Sequence, residues 1–182
     1  MSGFVLWFTG LPGAGKTTIA SNVAPELERR GHVVDRLDGD VVRTHLSKGL
    51  SFTRADRETH IGRVAWVASR ISRAGAIVVV SAISPYEEGR RHARAMIEPL
   101  VPFVEVHVAT PLDECARRDP KGHYAAAFAG EMENFTGVSA PYETPSNPEL
   151  RLDTTDETPG ESAARVLALL EELRLINAEV AR

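Results

Sequence analysis

A glycine-rich loop near the start of the chain, preceded by an apolar run, constrains the fold more than any other feature. Residues 4–8 (Phe-Val-Leu-Trp-Phe) predict a strand that is buried on both faces. Residues 10–17 follow at once and match the pattern G-x-x-x-x-G-K-S/T. A helix is expected over residues 17–30, because Ile19 and Val23 fall on one of its faces. A glycine-rich turn can match the pattern by chance, but this strand and helix are the context that a phosphate-binding P-loop requires.

The chemistry of a polyphosphate explains the composition of this loop. Glycines allow backbone N–H groups to converge on the phosphates, and the helix that begins at Lys16 directs the positive end of its dipole at them. The ammonium group of Lys16 is expected to contact the β- and γ-phosphates, and the Thr17 hydroxyl to ligate Mg²⁺. The residues predicted to surround the phosphates are Gly10, Leu11, Pro12, Gly13, Ala14, Gly15, Lys16, Thr17 and Thr18.

The length and composition of the chain narrow its class. A chain of 182 residues is long enough for one domain with a substantial core, so we expect a single domain over residues 1–182. The formal net charge of -4 leaves no basic surplus for nucleic acid. Cys115 is the only cysteine, which excludes an internal disulfide and suits a reducing cytoplasm. No apolar stretch is long enough to cross a bilayer and residues 1–3 begin no signal-like segment, so we expect a cytoplasmic protein without membrane contact.

Strands and helices alternate along the rest of the chain. Such alternation is typical of right-handed crossovers and predicts a three-layer α/β fold, in which helices cover a mostly parallel five-stranded sheet. In the last helix Val166, Leu169, Leu170 and Leu173 are expected to face inward. Further strands are predicted over residues 33–37, 76–83, 103–108 and 150–152, and the main helices over 41–46, 52–74, 87–97 and 160–176.

Two acidic residues, Asp38 and Asp40, follow the second predicted strand. Ligands of a parallel sheet collect beyond the carboxyl ends of its strands, so these carboxylates should lie beside the P-loop. Such groups hold a metal-bound water or receive the proton of a reacting hydroxyl. We favour this chemistry for Asp38. Asp40 is at least as well placed to cap the helix over residues 41–46, since Asp is a preferred N-cap residue.

A basic cluster lies on the longest predicted helix. Arg57, His60 and Arg63 are three residues apart, so they share one helical face. Clusters of this kind are usually solvated, and Asp56 and Glu58 lie nearby to pair with them. The position just after the acidic strand end instead points the cluster at the same pocket, where guanidinium groups bind phosphate or sulfate.

Residues 119–148 interrupt the alternation. They are rich in Gly, Pro and Ala, and no regular element is evident beyond a short helix near residues 124–128. A segment of this length without its own core is more often functional than padding. We interpret it as a lid that closes over bound nucleotides and excludes water.

The P-loop alone does not distinguish a GTPase, a motor ATPase and a small-molecule kinase. The base-recognition pattern N-K-x-D of GTPases is absent, and a motor or helicase would normally be longer. One domain with a basic acceptor cluster and a late lid favours phosphoryl transfer to a small acceptor.

Taken together, the motifs resemble those of the adenylylsulfate (APS) kinase family, which uses MgATP to phosphorylate the 3′-hydroxyl of adenosine 5′-phosphosulfate. The resemblance runs from near the first residue to about Asn147. It implies a P-loop kinase fold, formation of 3′-phosphoadenosine 5′-phosphosulfate for sulfate assimilation, and a homodimer. The matching stretches are residues 10–18 (GLPGAGKTT), 37–40 (LDGD), 55–63 (ADRETHIGR), 83–86 (ISPY), 118–122 (RDPKG), 134–137 (NFTG) and 141–143 (PYE).

The resemblance also implies roles for individual residues. Lys16 and the loop would hold ATP, Thr17 and Asp38 would support Mg²⁺, and Asp38 would orient or deprotonate the acceptor hydroxyl. Ser84 matches a serine described as a phosphorylated intermediate, which makes it a catalytic candidate beside Lys16 and Asp38. Because in-line transfer needs no enzyme nucleophile, we favour a structural turn at Ser84. Phe135 would stack on the acceptor adenine. The residues implied to bind the acceptor are Asp38, Asp40, Arg43, Arg57, His60, Arg63, Ile83, Ser84, Lys121 and Phe135.

The acceptor half departs from the usual pattern of the family. Val41 and His60 stand where Asn is usual, Ala82 where a Phe would form the other face of the adenine site, and residues 125–126 (Ala-Ala) where two lysines are usual. Loss of one stacking face would weaken base binding by about 1–3 kcal/mol. A second reading therefore stays open, a kinase of another nucleotide-like acceptor such as a nucleoside diphosphoramidate. A third, a subunit that binds nucleotide without turnover, is disfavoured by the retained P-loop lysine and strand-end acid.

Overall fold

The fold is built around five parallel strands. The computed structural model describes residues 3–177. The strands are β1 Val5–Thr9, β2 Val34–Asp38, β3 Ile77–Ser81, β4 Phe103–Val108 and β5 Leu150–Leu152. Their order in the sheet is β2-β3-β1-β4-β5, and each neighbouring pair is parallel. Parallel neighbours require crossover connections, which helices supply.

The helices of residues 3–177 occupy the two faces of the sheet. They are α1 Lys16–Arg29, α2 Gly39–Leu46, α3 Arg54–Arg73, α4 Glu87–Ile97, α5 Leu112–Arg118, α6 His123–Phe128 and α7 Pro159–Glu172. Helices α1 and α7 pack together on one face, and α3 and α4 pack together on the other.

The central strand β1 explains why both faces must be covered. Successive side chains of a strand point to opposite faces, so Leu6 and Phe8 join the apolar cluster under α1 and α7, whereas Val5 and Trp7 join the cluster under α3 and α4. All five residues of β1 are buried, and each large apolar side chain buried in this way contributes about 1.5–3 kcal/mol. The predicted three-layer α/β fold with a mostly parallel five-stranded sheet is confirmed.

The predicted inward face of the last helix is wrong at one position. Helix α7 ends at Glu172, so Leu173 lies beyond it and is 43% exposed. The helical period no longer sets the direction of a side chain past the end of the helix. Leu167 is buried instead, together with Val166 and Leu170.

Part of the domain prediction concerns residues outside the described range. The absence of a signal-like start involves residues 1 and 2, and the predicted domain 1–182 also includes residues 178–182; both ends lie outside residues 3–177. Among the helices within that range, none has the length and apolarity needed to cross a membrane.

Candidate active site

The five parallel strands end at one edge of the sheet, and the candidate residues gather there. The P-loop follows β1, Asp38 ends β2, and Ser84 lies just after β3. Between β1 and α1 the backbone turns sharply, and Gly10 has a φ of 151°. A Cβ atom at Gly10 would lie 2.3 Å from the backbone oxygen of Val108, so only glycine fits this position.

Lys16 is folded back into the P-loop. Its Nζ donates to the backbone oxygens of Gly10 at 2.8 Å and of Leu11 at 2.7 Å. Burial lowers its pKa to about 8, although the nearby carboxylates of Asp38 and Asp40 oppose that shift. A buried cation held by carbonyl groups inside a loop of this shape is suited to meet a polyphosphate.

Thr17 and Asp38 meet beside the loop. The Thr17 hydroxyl donates to Asp38 Oδ2 at 2.8 Å, and the other carboxylate oxygen accepts the backbone N–H of Asp40 at 3.0 Å. Asp38 is therefore the N-cap of α2. The suggestion that Asp40 caps this helix is wrong, because α2 already begins at Gly39 and places Asp40 inside its first turn.

The Thr17 and Asp38 pair fits the donor chemistry of Mg²⁺. This ion keeps several water ligands and binds one or two protein oxygens together with substrate phosphates. No cluster of three or more His, Cys, Asp or Glu side chains that could hold a metal lies within residues 3–177. A hydroxyl and a carboxylate oxygen 2.8 Å apart therefore suit a metal that is shared with a phosphate, and not one held by protein alone.

Two threonines that the sequence did not indicate, Thr110 and Thr154, form a brace for the P-loop: they hydrogen-bond its backbone at Ala14. The backbone oxygen of Ala14 accepts from the hydroxyl of Thr110 at 2.9 Å and from that of Thr154 at 3.1 Å. Arg118 donates in turn to the Thr154 hydroxyl at 2.8 Å. Thr110 follows β4 and Thr154 follows β5, so their position after predicted strands was the available signal.

The basic cluster is only partly a surface feature. Arg57 and His60 are 7% and 6% exposed, whereas Arg63 is exposed and donates to the backbone oxygen of Leu46 at 2.7 Å. The Nε of Arg57 donates to the backbone oxygen of Phe52 at 2.9 Å. For Arg57 and His60, the interpretation as a solvated helix face does not hold.

Phe52 is a third residue, after Thr110 and Thr154, that the sequence did not indicate. Its ring is 50% exposed, and the Cζ atoms of Arg43 and Arg57 lie 4.5 and 5.2 Å from its centroid. Burial lowers the pKa of both guanidinium groups. By contrast Ala82, which stands where a Phe would form the second face of an adenine site, is buried, and its Cβ lies 3.5 Å from where a Cβ on Gly39 would stand. The exposed aromatic surface of this region therefore comes from Phe52.

His60 is buried among the arginines in an uncharged state. Its Nδ1 is 2.8 Å from the hydroxyl of Ser47. Burial lowers the pKa of His60 to about 4, and the neighbouring charges of Arg43, Arg63 and Arg57 act in the same direction. At neutral pH this position therefore contributes hydrogen-bonding capacity and no positive charge.

Ser84 lies in a strained turn between β3 and α4. Its φ is 47°, in the left-handed region, and the residue is 2% exposed. The Trp7 indole N–H donates to its hydroxyl oxygen at 3.0 Å. The preceding backbone oxygen, that of Ile83, accepts from the Thr9 hydroxyl at 2.7 Å. These contacts fix the turn against β1.

Residues 119–148 contact both halves of the site. Lys121 pairs with Asp40 at 2.7 Å, and this hydrogen bond is the main reason that the pKa of Asp40 is lowered. Tyr124 donates its hydroxyl to the backbone oxygen of Pro12 at 2.8 Å. Phe135 is 8% exposed, with its ring edge-on to Tyr124 at a centroid distance of 5.0 Å. The side chain predicted to stack on adenine is thus packed in the core.

This geometry and the sheet beneath it define a class: a P-loop kinase, with an acid beside the loop and a basic pocket next to it. A family model described as adenylylsulphate kinase matches residues 2–153. The chain belongs to the adenylylsulphate kinase family.

Individual relatives cover nearly the whole chain. The adenylyl-sulfate kinase of Halothermothrix orenii is 50% identical over 175 residues, which make up 96% of this chain and 93% of that protein. The structure of the Mycobacterium tuberculosis APS kinase CysC in complex with AMPPNP and APS has a TM-score of 0.90 at 44% identity, and the match covers 93% of this chain and 98% of that one. A hexameric APS kinase from Thiobacillus denitrificans has a TM-score of 0.75 at 37% identity, over 97% of this chain and 30% of that one.

Proposed function

We propose that the chain transfers the γ-phosphate of ATP to the 3′-hydroxyl of adenosine 5′-phosphosulfate, giving 3′-phosphoadenosine 5′-phosphosulfate. One observation carries the proposal: the Asp38 carboxylate lies 2.8 Å from the Thr17 hydroxyl of the P-loop and caps α2, the helix that carries Arg43. The family membership and the relative solved with AMPPNP and APS support the same reading.

On the donor side, the chain's own groups would bind and orient the phosphates. Backbone N–H groups of residues 10–18 would surround them, and Lys16 would leave the carbonyl groups of Gly10 and Leu11 to contact the β- and γ-phosphates. Thr17 and Asp38 would hold Mg²⁺, which supplies charge neutralisation when it is bound.

Asp38 would receive the proton of the acceptor hydroxyl or orient that hydroxyl for in-line attack. Its carboxylate is already fixed by the Thr17 hydroxyl and by the Asp40 N–H, so little reorganisation is needed. Ser84 has a different role in this proposal. Its hydroxyl accepts from Trp7 in a buried turn, which supports the structural role over the covalent one.

The acceptor anion would bind to Arg43, Arg57 and Arg63, with His60 as a neutral hydrogen-bonding partner. Neither Arg43 nor Arg57 forms a salt bridge among residues 3–177, and burial disfavours the charge of both, so a bound anion would stabilise them. Among residues 3–177, the ion pairs of the site instead use Asp40 and Lys121. We therefore assign the phosphosulfate end of the acceptor to the arginine pocket and propose that Lys121 and Asp40 flank it.

Two aromatic rings would hold the acceptor adenine, with Ile83 lining the pocket. Phe52 is half-exposed and available without rearrangement. Phe135 is buried against Tyr124, so its stacking role requires residues 119–148 to move as a lid over the nucleotides. Each stacked ring contributes about 1–3 kcal/mol.

A second candidate is a kinase of another nucleotide-like acceptor, such as a nucleoside diphosphoramidate. The observation that favours it is the sequence of α6 in the lid, where Ala125 and Ala126 place no cation beside Lys121. Fewer cations would reduce the preference for a doubly charged phosphosulfate.

The setting of the reaction is also part of the proposal. We place the protein in the cytoplasm, in sulfate assimilation, with Mg²⁺ as the metal. We further propose a homodimer; a solved relative is hexameric, which supports self-association without fixing the number of copies.

A coupled assay of ADP release tests this proposal. The purified chain receives MgATP with APS, with a nucleoside diphosphoramidate, or with no acceptor. Turnover that depends on APS supports the first function, and turnover only with the diphosphoramidate supports the second. No release of ADP with either acceptor would leave the nucleotide-binding subunit as the better description.

A further inference from the structure

Arg90 is a buried arginine that lies outside the pocket of Arg43 and Arg57. It contacts both the turn at Ser84 and the end of the proposed lid, residues 119–148. The Arg90 side chain on α4 is 1% exposed. Its Nη1 donates to the backbone oxygen of Ser84 at 2.6 Å, and its Nη2 donates to the backbone oxygen of Glu143 at 2.7 Å. Its charge is balanced by Glu87 at 2.5 Å and by Glu105 at 3.1 Å.

Burial of this guanidinium is not explained by stability. Taking a charged pair out of water carries a penalty, and apolar residues of similar volume often do as well or better. Among residues 3–177, Oε1 of Glu105 has no hydrogen-bond partner, so its contact with Arg90 Nε is a charge contact only. What an apolar side chain cannot supply is the pair of hydrogen bonds to two separate backbone segments.

Neither of the two backbone segments that Arg90 joins is part of a helix or a strand. Ser84 has a left-handed φ of 47°, and Glu143 lies near the end of residues 119–148. The backbone N–H of Glu143 donates to the oxygen of Pro85 at 2.7 Å, and the N–H of Glu87 donates to the Glu143 carboxylate at 2.7 Å. Arg90 therefore completes a joint between the turn that follows β3 and the end of the lid.

We propose that Arg90 is a positioning residue for acceptor binding: it sets the Ile83–Ser84 turn and the end of the lid at a fixed separation. The inference rests on the proposed function, since it concerns the acceptor pocket of that reaction. The donor phosphates would bind at the P-loop, whose Ala14 backbone oxygen is held by Thr110 and Thr154 on the β4 side of β1, whereas Arg90 holds the turn on the β3 side. Loss of the joint is thus expected to weaken acceptor binding and to leave nucleotide binding intact.

Arg94 provides a matched control. It lies one turn further along α4, and it donates hydrogen bonds to Glu98, to Glu149 and, at 3.5 Å, to the same Glu105. It donates to neither Ser84 nor Glu143 among the hydrogen bonds of residues 3–177. A variant at Arg94 therefore disturbs the ion network without breaking the joint.

The test compares R90K, R94M and the wild type. Lysine keeps the charge at position 90 but lacks the planar fork that reaches both carbonyl groups. In R90K we expect the KM for APS to rise about tenfold or more, while the Kd for ADP stays within about twofold. R94M should change neither constant. The double variant R90M/E105M removes both charges of this pair, so neither is left buried without the other. It should fold and show the same rise in the KM for APS as R90K.

Hydrogen exchange gives a readout that does not depend on turnover. Amides of residues 82–84 and 142–144 should exchange faster in R90K than in R94M. The inference is overturned if the KM for APS and these exchange rates match the wild type, or if ADP and APS binding fall together in both Arg90 variants. If the wild type does not phosphorylate APS, the proposed function fails separately and the exchange rates alone decide the inference.

Discussion

Asp38 combines a contact with the P-loop and the helix-capping role that the sequence offered for Asp40. One carboxylate oxygen accepts from Thr17 and the other caps α2 through the Asp40 N–H. Because the cap fixes the side chain, the oxygen beside Thr17 keeps a constant direction toward the P-loop. A residue that serves both the local helix and the site could not be assigned from the Asp-Gly-Asp pattern alone, since either acid satisfied the local rules.

Substitution of Asp38 by asparagine separates these tasks. Asparagine caps helices as well as aspartate, so D38N should unfold at nearly the same denaturant concentration as the wild type. It cannot accept a proton, so its kcat should fall by about 10²–10⁴. The measurements are ADP release and urea unfolding. A D38N variant that keeps most of the wild-type kcat would remove Asp38 from the reaction.

The state of Lys16 predicts proton uptake on nucleotide binding. Its pKa is lowered to about 8 in the loop, chiefly by burial, and a polyphosphate would raise that pKa by favouring the charged ammonium. At pH 8 the binding of one ADP should therefore be accompanied by the uptake of about half a proton by Lys16. At pH 7 the uptake should be clearly smaller. Titration calorimetry in buffers of different ionisation enthalpy measures this number. A binding enthalpy that is independent of the buffer at pH 8 would contradict the prediction.

His60 makes folding sensitive to acid. Its pKa is about 4 in the folded chain, mainly because of burial, against an ordinary value near 6.5. As the pH falls, His60 therefore binds its proton in the unfolded chain at a higher pH than in the folded chain. The contribution of His60 to the free energy of unfolding should be fully present above about pH 6.5. It should be lost as the pH falls toward 4, by up to about 1.4 kcal/mol per pH unit.

The variant H60N tests that assignment. His107 is buried with a pKa lowered to about 4 as well, so the wild-type slope contains a second proton. Between pH 4 and 6.5, H60N should reduce the slope of the free energy of unfolding against pH by the contribution of one proton. The part of the slope due to other groups should stay. Urea unfolding across this pH range measures the slope. An unchanged slope would show that His60 is not the group that titrates.

At the scale of elements, the sequence predicted what local periodicity determines. The apolar strand at residues 103–108 and the helix at 87–97 agree with β4 and α4 to the residue. The P-loop followed from a pattern whose glycines have a local conformational reason. The predicted strand at 76–83 is shorter in the structure, because β3 ends at Ser81 and the next residues form the turn at Ser84.

Contacts between distant elements were beyond such rules. Arg90 carries no local signal of function, since it contacts Glu143, which is far away in the chain, and the only signal at Thr154 was its position after a predicted strand. The burial of Arg57 and His60 depends in the same way on how α2 and residues 119–148 pack against α3. Periodicity gave their common face but could not say what covers it.

The brace behind the P-loop gives a prediction at the level of elements. T154V keeps the volume of the side chain and removes the hydroxyl that bonds the Ala14 oxygen. The Kd for ADP should rise by about 2–10-fold, the equivalent of one hydrogen bond, while the KM for APS changes little. T155V is the matched control, because the Thr155 hydroxyl bonds Asp153 and not the loop. Equal effects of the two variants on ADP binding would contradict the role of the brace.

At the scale of the whole molecule, residues 119–148 connect the donor and acceptor halves. Tyr124 bonds the P-loop at Pro12, Lys121 pairs with Asp40, and the backbone oxygen of Asn134 accepts from Arg57 at 2.6 Å. A movement of this segment would therefore change both halves together. Such coupling suits a kinase, which must exclude water once both substrates are bound.

The most direct test of the central claim is identification of the phosphorylated product. The purified chain is incubated with MgATP and APS, and the nucleotide product is analysed by ³¹P NMR with D38N as the control. We predict stoichiometric formation of ADP and a new phosphomonoester at the 3′ position of APS, lost in D38N. Unchanged APS beside intact ATP, or a phosphate that appears on another acceptor only, would contradict the account.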